Sequence, residues 1–166
     1  MMNTVWKSIL WRQYAAAIDM LDNAIAACPD DLWGDRSRQP EFWYVAYHTL
    51  FFLDLYSYGT VDGFAPPDPF NLDEMDPAGI LPPRVYTKDE LRAYLRVGRD
   101  RARAAVQALT DETAQRPCDI PWLRLSEGEL IVDSLRHVQH HTAQLNLILR
   151  QVTDSAPRWV STTEGG

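Results

Sequence analysis

The chain has two cysteines, Cys28 and Cys118, about ninety positions apart. Such a pair makes neither a disulfide framework nor a CxxC metal site. Lysine is scarcer still for a charged residue: Lys7 and Lys88 stand against 14 arginines. The 23 acidic residues outnumber the 16 basic ones, and the formal charge is −7. A surface of that sign excludes nucleic acid as the main partner and disfavours anionic membranes, since phosphate binding needs clustered cations. No run approaches the roughly 18 uncharged apolar residues of a membrane span. The first twenty residues lack a basic segment followed by an apolar run, so no signal peptide is expected. Together these absences predict a cytoplasmic protein. No GxSxG, HExxH or glycine-rich phosphate loop is present.

What is there reads as helix. With 46% apolar residues in 166 positions, one domain over 1–166 is expected. Apolar periodicity marks a segment from about Thr4 to Ala27, with Trp6, Leu10, Ala17, Leu21 and Ala24 on one stripe. Asn3 or Thr4 can cap it and Cys28-Pro29 stops it. A second segment runs from about Glu41 to Tyr58, ending at Gly59. A third starts at Thr87-Lys88-Asp89-Glu90 and a fourth at Ser126-Glu127-Gly128-Glu129, both capping-box patterns.

Four such segments without strand signals predict an all-α four-helix bundle. The link over 59–86 is unusual, with six prolines and three glycines in 28 residues. Links in bundles usually span about 2–8 residues. A helix of about 18 residues is roughly 27 Å long, well within the reach of such a link. An up-down-down-up arrangement with a long crossover between helices two and three is therefore expected. The ordinary antiparallel bundle with a decorated loop is the alternative.

Three of the four histidines lie in Arg136-His137-Val138-Gln139-His140-His141. Residues four apart share a helix face, so His137 and His141 can aim at one point. Spacing also allows His137 with His140. The steps through Leu130, His137, His141, Gln144 and Ile148 favour His141 and place His140 toward solvent. His48 lies mid-way along the second helix among apolar neighbours, at the level where mid-helix positions meet. Three imidazoles converging in the bundle interior suit a divalent metal such as Zn²⁺ or Ni²⁺, with a position left open. The alternative for any one of them is a hydrogen-bonded core histidine.

Other residues are weaker candidates. Asp133 precedes His137 by one turn and either orients it or is a solvated acid. His140 and Gln144 flank the site, and Tyr44 and Phe52 sit one turn either side of His48, as pocket walls or as core. The run Arg96, Arg99, Arg101 and Arg103 reads as a solvated face, and both cysteines as structural.

The segments "CPDDLW", "FWYVAYHTLFFLDLY", "YTKDELRAYLRVGRDRARAAVQALTDE" and "RHVQHHTAQLNLILR" resemble the DinB-like (DinB/YfiT) superfamily over nearly the whole chain. The last looks like that family's HxxxHRGQ pattern, with Thr142-Ala143 in place of Arg-Gly. The resemblance implies the up-down-down-up bundle, a metal site of His48, His137 and His141, and a homodimer. It also implies a metal-dependent enzyme that activates a water or a low-molecular-weight thiol, as hydrolase or thiol transferase, on a small-molecule substrate. A non-catalytic metal- or small-molecule-binding, stress-related bundle is the alternative, and a dimerising interaction module a third reading.

Overall fold

The computed structural model describes residues 4–163. Asn3, one of the two expected caps of the first helix, lies outside them. Four long helices carry the fold: α1 (Thr4–Ala27), α3 (Phe42–Tyr58), α4 (Lys88–Ala108) and α5 (Glu127–Thr153). A single extra turn, α2 (Asp30–Trp33), and two 3₁₀ turns at Asp73–Met75 and Thr113–Gln115 complete the helical structure. Among the described residues there are no strands, only isolated bridges between Thr60 and Asp119 and between Pro117 and Ser126. No described helix is long and apolar enough to cross a membrane.

The helix ends follow local chemistry. Thr87 and Ser126 each accept the amide three residues on, from Glu90 and Glu129, whose carboxylates accept the cap amides in return. Two orphan donors are thereby satisfied at each start. At the far end of α3, Gly59 takes a left-handed conformation (φ 91°) that favours glycine, and its amide donates to Leu55.

Helix α3 buries residues on nearly every side, from Phe42 and Trp43 to Leu55 and Tyr56. Such a helix needs neighbours all round. It packs chiefly against α4 and α5, while α1 packs against the other sides of that same pair. Gly98 permits the close approach of α4, since a Cβ there would lie 3.0 Å from the Leu53 side chain. Contacts from α3 toward α4 advance together: Tyr47 meets Tyr86, just before α4 begins, at 5.0 Å between ring centroids, and Asp54 meets Arg101 at 2.7 Å. Contacts between α3 and α5 run the other way, from His48 with His141 to Phe52 with His137. On α1, Asp22 pairs with Arg92 at 2.6 Å, and Lys7 donates to the Gln107 carbonyl near the end of α4.

The segment over 59–86 is held to the bundle by buried aromatics. Phe64 packs edge-on against Phe51, and Phe70 stacks on Tyr94 at 4.5 Å with an interplanar angle of 19°. Trp6 does not join the core as its stripe suggested. It is 64% exposed, because Lys7 already sits level with the last turn of α4 and Trp6 reaches past it.

One buried ion pair ties α3 to α4. Asp54 is fully buried and Arg101 is one-third exposed. Burial pushes the Asp54 carboxyl above its usual range, and the guanidinium only partly offsets that. Removing one partner of a buried pair leaves an uncompensated charge. Arg101→Met should therefore lower unfolding stability by about 3 kcal/mol at pH 8. The loss should shrink at pH 5, where the isolated Asp54 takes up a proton. Urea denaturation at the two pH values checks both statements.

Candidate metal centre

α3 and α5 present their histidines to a shared groove. His48 comes from the middle of α3, and His137 and His141 from successive turns of α5. Ligand-capable atoms of these three residues all lie within 4.8 Å of one another. The Nε2 atoms of His137 and His141 are 3.1 Å apart. Two nitrogens bound at ~2.0–2.1 Å in tetrahedral geometry lie roughly 3.3 Å apart, so little adjustment separates this arrangement from a ligand set.

The nitrogens facing away from the centre are tied down on two of the rings. His48 Nδ1–H donates to Glu74 Oε1 at 2.5 Å, and His141 Nδ1–H donates to Gln144 Oε1 at 2.7 Å. With Nδ1 protonated, each of these rings keeps an unprotonated Nε2. The contact between the two Nε2 atoms then requires His137 Nε2–H to donate to His141. His137 Nδ1 is buried and has no hydrogen-bond partner among the described residues. His137 is the ring whose tautomer is least constrained.

Burial first, then the imidazoles of His141, His48 and His140, push His137 down to about 3. His141 is lowered as well, mainly by burial, with its bond to Gln144 acting in the opposite direction. Both rings are thus neutral at physiological pH, the form that binds a metal.

The rings lie at the edge of the core rather than deep within the bundle. All three histidines are half-buried, and the fully buried face of α5 is instead Leu130, Ser134, Val138, Thr142, Leu145 and Leu149. This corrects the expected interior position. The stripe through Gln144 and Ile148 lies about a third of a turn from the true core face, and Gln144 is exposed.

Phe52 forms one wall, with its ring centroid 4.8 Å from His48 and 5.6 Å from His137. Tyr44 lies 6.4 Å from His48 on the other side. Tyr56 packs at 6.1 Å on His137. Asp133 is not brought to the rings. It pairs with Arg136 at 3.5 Å, as a partly solvated acid does. His140 is exposed and within 3.3 Å of the Gln144 side chain.

Glu74 is the residue that sequence reasoning missed. It lies on the 3₁₀ turn of the 59–86 segment, its side chain only 3% exposed, and it also accepts from the Tyr44 hydroxyl at 3.0 Å. Nothing in Asn71-Leu72-Asp73-Glu74-Met75-Asp76 distinguishes this acid from its neighbours.

A profile of the DinB superfamily matches residues 13–145. The chain belongs to that superfamily. The matched stretch contains all three histidines and Glu74, so the groove lies within the family's own domain. No curated protein matches the chain, and no solved structure matches it either.

The depressed histidines set an acid limb. Where a histidine's folded-state pKa lies below its unfolded value of about 6.5, the unfolded chain binds more protons as pH falls. Metal-free protein should lose stability from about pH 6.5 downward toward pH 3. His137→Gln should flatten that limb, as read from urea midpoints at pH 7, 5.5 and 4.5.

Proposed function

We propose that the chain is a metal-dependent enzyme in which His48, His137 and His141 hold one divalent ion, Zn²⁺ or Ni²⁺ being the best matches to three imidazoles. The observation that carries this reading is the convergence of three imidazoles within 4.8 Å, with two of the outer nitrogens already bonded. Superfamily membership supports it. An ion held there supplies Lewis acidity that lets a water or a low-molecular-weight thiol lose its proton near neutral pH.

The chain's own residues do the remaining work. Glu74 and Gln144 fix the orientation of His48 and His141, and Phe52 and Tyr56 exclude water from one side of the rings. Among the described residues neither nearby acid stands free as a general base: Asp133 is paired with Arg136 away from the rings, and Glu74 is bonded to His48. That arrangement favours direct activation of the nucleophile over base-assisted hydrolysis, and so a thiol transferase over a hydrolase. It equally favours a second reading, a non-catalytic metal- or small-molecule-binding protein. The order of contacts along the helices supports an up-down-down-up bundle, with 59–86 as the crossover. We further propose a cytoplasmic homodimer acting on a small-molecule substrate.

Protein purified without an affinity tag or chelator should carry close to one equivalent of divalent metal by elemental analysis. Alanine at His48, His137 or His141 should reduce that below about 0.2 equivalents, while His140→Ala leaves it unchanged. A screen of thiols with electrophilic acceptors, beside ester and amide substrates, separates transferase from hydrolase. Metal-loaded protein inert in both arms supports the binding protein.

A further inference from the structure

The geometry points to Glu74 as a positioning residue through which the 59–86 segment and the metal centre control one another. The inference rests on the reading of the three histidines as ligands. Glu74 stands in a segment that is otherwise largely exposed, between Leu72 at 47% exposure and Ile80 at 46%. Its own carboxylate is nevertheless almost wholly withdrawn from water. Two anchors put it there. Phe70 is buried against Tyr47, Tyr86 and Tyr94, and Met75 packs on the core. The 3₁₀ turn between them is closed by the Met75 and Asp76 amides and by an Asn71 side chain that accepts from the Asp73 amide.

A buried carboxylate is costly unless it is paired. Among the described residues the ion-pair partner of Glu74 is His48, a ring without fixed charge. Its other donor among the described residues is the neutral Tyr44 hydroxyl. A dication on the opposite nitrogen of His48 would supply the missing positive charge through the ring. In return, the carboxylate makes that ring a stronger donor and holds its tautomer and orientation. Glu74 is not itself in the converging group of ligand atoms, so it acts through His48. Because the acid comes from the 59–86 segment, the docking of that segment and metal affinity are linked, and linkage is reciprocal. Loading the metal tightens the segment, and loosening the segment weakens the metal.

The test measures Zn²⁺ affinity by competition with a chromophoric chelator in wild type, Glu74→Gln and Tyr44→Phe. Glu74→Gln keeps the shape and an acceptor oxygen but removes the charge, and it should weaken Zn²⁺ binding about 10-fold or more. Tyr44→Phe should weaken it less. Hydrogen exchange over residues 70–77 gives the second readout: Zn²⁺ should slow it in wild type and leave it unchanged in Glu74→Gln. A merely structural role would lower the melting temperature of Glu74→Gln with an unchanged Zn²⁺ dissociation constant, and that result overturns the inference. Zn²⁺-independent exchange in wild type would overturn the linkage. A wild-type protein that binds no Zn²⁺ would overturn the metal reading itself, whereas tight binding by both wild type and Glu74→Gln overturns this inference alone.

Discussion

Helix α3 is apolar on almost every side, and covering it organises the rest of the chain. A helix with residues as large as Trp43, Tyr47 and Phe51 fully buried needs cover on most of its faces, and Tyr44, His48 and Phe52 form the stripe left half-buried. α4 and α5 take two of its flanks. The segment over 59–86 covers part of what remains with Phe64 and Phe70. The site is a consequence of that covering. The flank taken by α5 brings His137 and His141 against His48, and the segment that supplies Phe70 also supplies Glu74 four residues later.

The two ionisable residues His48 and Asp54 of α3 are costly in such surroundings, and each has a partner. Asp54 meets Arg101, and His48 meets Glu74. The two pairs differ in kind. Arg101 keeps its charge at any accessible pH, so the Asp54 pair is a fixed tie between two helices. The His48–Glu74 pair joins a carboxylate to an imidazole, which carries no fixed charge. It is better suited to answer a cation than to hold the fold. That difference separates a tie between two helices from a pair beside the three converging histidines, within a single helix.

Burial also shapes the histidines. The depressed basicity of His137 and His141 comes first from lost hydration, and neighbouring imidazoles add to it, while the bond to Gln144 opposes it at His141. Rings that resist protonation while crowded together keep lone pairs available where a cation would gain most from them. Gln144 and Glu74 fix two of the three rings and leave His137 the adjustable one.

Much of this was legible in the chain itself. The capping boxes at Thr87 and Ser126, the stop at Cys28-Pro29 and the glycine after Tyr58 act through neighbours within a few residues, so local chemistry determined the helix ends. The choice of His141 over His140 followed from helical phase, which is likewise local. Tertiary structure decided what depends on residues distant in sequence. It withdrew Trp6 from the core, because the end of α4 sets how far the bundle reaches along α1. It moved the rings from the interior to its edge, since the exact rotation of α5 is chosen by Val138, Thr142 and Leu145 packing together. It also brought Glu74 across 26 residues to His48, where buried aromatics rather than any local motif carry the segment home.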